Sequence, residues 1–206
     1  MPISFLYFDF GNVLSVFSHD RMCRQMAEVA GVSAELVEKV LFDGDFQHRF
    51  EEGEFDTATY FERFCDAVGT RPDRGRLELA ASDIFAVNES IVPLIEGLAK
   101  AGNRLGVLSN TNECHWRHIY DGRFAPLLPG PFEEIVLSYE EHLMKPDAAI
   151  YQVASERAGI PIDHVFFTDD RTENVAGGQA AGMDAVLFEN AAQLADELRR
   201  RGVPGA

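Results

Sequence analysis

Five short apolar runs, at residues 3–8, 104–108, 134–137, 165–168 and 185–188, alternate with stretches of helical periodicity, and this alternation constrains the fold more than any other feature. Each run is too short for a helix, is apolar almost throughout and meets a polar turn. That pattern reads as parallel strands covered on both faces. Between them, residues 88–101 place Ile91, Leu94, Ile95 and Leu98 on one face, with Pro93 in the first turn and Gly102 past the end. A second helix is expected to open at Pro146, carry Ile150, Val153 and Ala154 on its buried side, and stop at Gly159 and Pro161. Strand and helix in turn predict an α/β fold with an open, mainly parallel, Rossmann-like sheet and helices on both faces.

One segment departs from the rhythm. From residue 17 to residue 85 there is no convincing strand, while Ala58, Phe61, Phe64, Cys65 and Val68 form one helical stripe and Val29, Leu36, Val37, Val40 and Leu41 mark others. Gly44, Gly53, Gly69 and Pro72 divide the segment into about four helical pieces. A small helical cap, residues 17–85, is therefore expected as an insertion after the first strand, in a core made of residues 1–16 and 86–206. It leaves the sheet at the carboxyl edge, where open α/β sheets bind ligands, so it is read as a lid.

The composition narrows the partners. A chain of 206 residues with 46% hydrophobic content can bury one substantial core and a second small one. Thirty-four acidic against eighteen basic side chains give a formal charge of −16, which repels nucleic acid and anionic membranes. The three cysteines, Cys23, Cys65 and Cys114, have neither disulfide nor zinc-knuckle spacing, and no run approaches the ~20 apolar residues of a membrane span. A cytoplasmic protein is the expectation, with its oligomeric state left open.

Four polar signals follow the strands. Asp9 leaves the first strand into the turn Phe10-Gly11-Asn12. Ser109-Asn110-Thr111-Asn112 follows the second, offering hydroxyls, amides and free backbone N–H groups suited to phosphate oxygens. Lys145-Pro146 places a cation before a helix, and Thr168-Asp169-Asp170 ends a further strand, with Asn174 four residues on. Any one of these could be no more than a helix cap or a solvated turn. Their joint order at one sheet edge, beside the lid, is what points to a site.

In that order the four signals resemble the motifs of the haloacid dehalogenase (HAD) superfamily of hydrolases. The sequences Phe10-Gly11-Asn12-Val13-Leu14, Leu108-Ser109-Asn110-Thr111-Asn112, Met144-Lys145-Pro146 and Phe166-Phe167-Thr168-Asp169-Asp170 look closest to its bacterial sugar-phosphatase branch, which includes α-glucose-1-phosphatase. The resemblance implies that Asp9 is the nucleophile, that Ser109, the Asn110 backbone N–H and Lys145 hold the phosphoryl group, and that Asp169 and Asp170 serve a Mg²⁺ ion. Chemistry agrees: a carboxylate can attack phosphorus to form an aspartyl-phosphate once the negative charges are screened. The oxygens available to Mg²⁺ are those of Asp9, the Gly11 carbonyl and Asp170, with Asp169 acting through a water and Asn174 fixing Asp170 or a metal-bound water. The expected activity is Mg²⁺-dependent hydrolysis of a small phosphorylated metabolite, with a sugar phosphate favoured.

One departure matters. Phosphatases of the family usually carry a second Asp two residues after the nucleophile, as acid and base, and here that position is Gly11. Acid–base catalysis is typically worth ~10² to 10⁴ in rate, so its loss predicts a slow enzyme, a good leaving group or a substitute acid. His19, Asp20 and His115 are candidate substitutes, Arg49 in the lid is a candidate substrate contact, and Cys114, His115 and His118 supply too few ligands for a metal site. The rival readings are an L-2-haloacid dehalogenase, which uses an attacking Asp without metal, and a binding protein that retains the fold but turns nothing over.

Overall fold

The computed structural model describes residues 2–125 and 127–206. Its centre is a five-stranded sheet built from β1 (Phe5–Phe8), β4 (Leu105–Ser109), β5 (Phe132–Leu137), β6 (Val165–Asp169) and β7 (Asp184–Leu187), in the order β5-β4-β1-β6-β7. Every neighbouring pair is parallel. All four residues of β1 are buried, because alternate side chains enter two different cores. Leu6 and Phe8 pack with Leu94, Ile95 and Leu98 of α6 (Val92–Lys100) and Leu194 and Leu198 of α11 (Ala191–Arg200). Phe5 and Tyr7 point the other way, to Ile150, Tyr151 and Ala154 of α9 (Ala148–Ala158) and Val175 of α10 (Thr172–Ala181). The remaining helices of this part are α7 (Glu113–Ile119) and the short α8 (Ser138–Glu141).

Between β1 and α6 lie α1 (His19–Ala30), α2 (Ala34–Phe42), α3 (Phe46–Glu51), α4 (Thr57–Val68) and α5 (Arg74–Ser82). Four of their starts, all but that of α3, are set by capping side chains: Ser18, Ser33, Asp56 and Asp73 each accept a bond from a backbone N–H of the first turn. Gly31 and Gly69 end α1 and α4 in the left-handed conformation that glycine adopts freely. The five helices share a core of Met22, Met26, Val37, Leu41, Phe64 and Leu77, among others, distinct from the two cores of the sheet.

Three expectations are corrected. Two strands were not anticipated: β2 (Ser15–Phe17) and β3 (Phe85–Val87) form an antiparallel ribbon that brackets the five helices. The helix expected from residue 88 begins at Val92, because the Asn88 side chain is engaged in bonds to Val13 O and to Ser90. The helix expected from Pro146 begins at Ala148, since Asp147 is the cap that accepts from Ala149 N. Among the described residues, no helix is long and apolar enough to cross a membrane.

Candidate active site

Parallel strands end together, so residues that follow them in sequence meet at one edge. Asp9 follows β1 and its N–H bonds Thr168 O of β6 at 2.9 Å, which fixes the carboxylate beside Asp169 and Asp170. Carboxylate oxygens of Asp9, Asp169 and Asp170 lie within 4.8 Å of one another. The Lys145 ammonium, from the loop before α9, donates to Asp9 Oδ1 at 2.7 Å, Asp169 Oδ2 at 2.6 Å and Leu108 O at 2.8 Å. Lys145 is held in turn by Asn110, whose side chain accepts from the Lys145 N–H and donates to its carbonyl, both at 2.9 Å.

Asp169 is fully buried and fully bonded: besides Lys145, its two oxygens each accept from Asn174 Nδ2 at 3.0 Å, and Oδ1 accepts from Arg171 N at 2.9 Å. Asn174 therefore fixes Asp169 and not Asp170, the first of the two roles expected of it. Asp170 is instead met by Asn12, whose Nδ2 donates to Oδ2 at 3.0 Å. Asn12 was not anticipated. It sits at φ 55°, and an Asn in the Asp9 turn, one of the few residues that tolerate this conformation, was the available signal.

Asp9, Asn12, Asn110, Lys145, Asp170 and Asn174 line a cleft of about 290 Å³ together with Gly11, Phe17, His19, His48, Glu51 and Arg171, while Asp169 lies buried behind it. A smaller annex of about 50 Å³ shares Gly11, Phe17, His19, Glu51 and Asn110 with the cleft and adds Ser109. Nothing in the sequence pattern of the lid separates Glu51 from its polar neighbours. Arg49, chosen from the same helix, points elsewhere: it bonds Glu54 at 2.7 Å and lies over the Phe55 ring, while the arginine at the cleft is Arg171. Asp20 is exposed and paired with Arg24. His115 lines only the annex, where burial pushes its pKa down to about 3, and it packs against Asn112 as a neutral ring. Cys114 bonds Ser82 and His118 faces Asp83, so these residues do not converge on a metal. The Asp9, Asp169 and Asp170 group is the one candidate ligand cluster found among the described residues.

The electrostatics follow from burial. Asp9 is pushed above the ordinary carboxylate range by burial, against the pull of Lys145 and with the push of Asp169. Asp170 is raised by burial and then by Asp169, although Asn12 opposes the shift. Burial works against the Lys145 charge, but Asp9 and Asp169 outweigh it and hold its pKa above normal. Three clustered carboxylates, two of them bonded to one lysine, leave negative charge uncompensated, and oxygen donors so arranged suit a hard divalent cation.

Comparison with known proteins fits this geometry. A family model described as haloacid dehalogenase-like hydrolase matches residues 8–182. Phosphatase MT3486 of Mycobacterium tuberculosis is 24% identical over 216 residues, covering 97% of this chain and 94% of that protein. A HAD family enzyme from Bacteroides thetaiotaomicron, solved as a magnesium complex, superposes with a TM-score of 0.83 at 24% identity, covering 97% of this chain and 100% of that one. The same enzyme with magnesium and inorganic phosphate gives a TM-score of 0.80 at 24% identity, covering 91% of this chain and 95% of that one.

Proposed function

The chain belongs to the haloacid dehalogenase-like hydrolases, and from that premise we propose that it is a Mg²⁺-dependent phosphatase of small phosphorylated metabolites, sugar phosphates foremost, with Asp9 as nucleophile. The observation that carries this reading is the convergence of three carboxylates from two strand ends, with oxygens within 4.8 Å of one another, around a buried lysine that bonds two of them. The likeness to a phosphatase and to an enzyme solved with magnesium and inorganic phosphate supports it. A Mg²⁺ ion held by Asp9, Asp170 and the Gly11 carbonyl, with Asp169 adjoining, would screen the phosphoryl oxygens so that an anionic carboxylate can approach an anionic ester.

The protein's own groups then divide the work. An Asp9 oxygen bonds phosphorus in line with the departing oxygen and forms an aspartyl-phosphate, which water later hydrolyses. Lys145, fixed by Asn110, favours the ionised form of Asp9 against the effect of burial and offsets charge that develops on the transferring group. Ser109, opening onto the annex, and the Asn110 backbone N–H hold phosphoryl oxygens. The segment from α1 to α5 acts as the cap, since His19, His48 and Glu51 reach the cleft from it. The acidic surplus of the chain sends no nucleic acid to this cleft.

A screen of sugar phosphates and an aryl phosphate with Mg²⁺ tests the reading. Phosphate release should depend on Mg²⁺ and stop with a chelator, and Asp9→Asn should reduce it by on the order of 10⁴-fold or more. Full activity in Asp9→Asn removes the mechanism. Halide release from a 2-haloacid, indifferent to chelator, would replace it with the dehalogenase reading.

A further inference from the structure

Resting on the phosphatase reading, we propose that Glu51 of the helical insertion is the general acid and base of this enzyme, in place of a carboxylate at position 11. The space beside Gly11 is already taken. A Cβ built on Gly11 would lie 2.9 Å from Phe17 Cε1, closer than carbon atoms pack, so the glycine accommodates the aromatic ring. Phe17 is held there by the ribbon of β2 and β3, with the Phe85 ring 5.6 Å away. A proton donor must therefore enter the cleft from another element.

Glu51 enters it from the end of α3 and lines both the cleft and the annex, in each case alongside Gly11. Its carboxylate is aimed by a relay from inside the insertion: Tyr60 O–H donates to Gln47 Oε1 at 2.8 Å, and Gln47 Nε2 donates to Glu51 Oε1 at 2.8 Å. Among the described residues, Oε2 takes no protein partner. The backbone of Glu51 is tied to the core, because Ser138 Oγ donates to Glu51 O at 2.6 Å and also bonds the Thr111 backbone, two residues after Ser109. The carboxyl is thus registered against the loop assigned to the phosphoryl group.

Its surroundings favour a proton-carrying form. Burial raises the Glu51 pKa to about 7, with Gln47 and Arg171 opposing. Facing it across the cleft are His19 from α1, Asp9 after β1, Lys145 before α9, and Asp170, Arg171 and Glu173 after β6, while His48 shares its helix. A pKa near the working pH suits a group that must give a proton and then take one back. As the Asp9 oxygen bonds phosphorus, the bond from phosphorus to the leaving oxygen breaks and that oxygen takes the Glu51 proton. The Glu51 carboxylate then takes a proton from water as the water oxygen bonds phosphorus and the bond to Asp9 breaks, which restores both residues.

The test is kcat/KM for Mg²⁺-loaded full-length protein over phosphate esters whose leaving groups run from alkyl alcohols to nitrophenol. Glu51→Gln keeps an oxygen for the Gln47 bond and removes only the proton chemistry. It should lose ~10² to 10⁴ on alkyl esters and less than about tenfold on the nitrophenyl ester, which needs little protonation. An equal loss across the series, or no loss, overturns the role of Glu51 while leaving the phosphatase reading standing. If the unaltered protein releases phosphate from none of the esters, the phosphatase reading itself fails and takes this role with it.

Discussion

Lys145 and Glu51 border one cleft and solve burial in opposite ways. The lysine ammonium uses its three hydrogens on Asp9, Asp169 and the Leu108 carbonyl, and so stays charged. Glu51 has a neutral amide as its hydrogen-bond partner, so burial prevails and its pKa rises to about 7. The sign for stability follows. Between the ordinary carboxylate pKa and about 7, the folded protein holds a proton on Glu51 that the unfolded chain has released. The contribution is fully present below the unfolded pKa and is lost as pH rises through about 7. Metal-free protein should therefore lose stability relative to Glu51→Gln, by roughly 1–2 kcal/mol for this half-buried group, between pH 5 and pH 8. Urea denaturation of both proteins across that range measures it, and a constant difference between them contradicts the assignment.

At the scale of elements, α3 and the turn behind it decide where Glu51 points. Gly53, two residues past the helix, has φ 75°, and a Cβ there would lie 2.2 Å from Tyr139 O and 2.9 Å from His142 Nδ1. The insertion thus closes onto α8 through a bare backbone. Gly53→Ala meets both an unfavourable conformation and an overlap with main chain, and should cost about 2–4 kcal/mol in urea denaturation. It should also lower turnover of alkyl esters more than of the nitrophenyl ester, because the displaced residue is the proton donor. Legibility in the sequence varied with the kind of element. The three central strands β1, β4 and β6 were readable because burial on both faces makes them continuous apolar runs, and their ends then located Asp9, Ser109, Asp169 and Asp170. The ribbon of β2 and β3 was not, since its strands have three residues each and Val16 is 48% exposed, leaving no run or alternation to detect. Arg49 rather than Glu51 was singled out because a six-residue helix is too short for periodicity to fix which side faces the cleft. The Gln47 to Glu51 spacing of one helical turn was the unused clue.

For the whole molecule, the formal charge of −16 and the carboxylate cluster make the same demand for a cation at two ranges. Diffuse surface charge is screened by any salt within about 10 Å at 0.1 M, and its exposed ion pairs, such as Arg21 with Asp83, add little. The cluster of Asp9, Asp169 and Asp170 differs, because its oxygens are brought together only when the segments after β1 and β6 are folded side by side. A divalent ion that binds there favours the folded state by mass action. At about 100 times its dissociation constant, Mg²⁺ should add about 2.7 kcal/mol, equivalent to a rise of roughly 5–10 °C in Tm for a chain of this size. NaCl of equal ionic strength acts on the diffuse charge alone and should give a clearly smaller rise. Asp170→Asn removes one ligand charge while its amide can still meet Asn12, so it should keep the response to NaCl and lose most of the response to Mg²⁺. Equal rises in the two salts, or an unchanged Mg²⁺ response in Asp170→Asn, would show that the cluster is not where the ion binds.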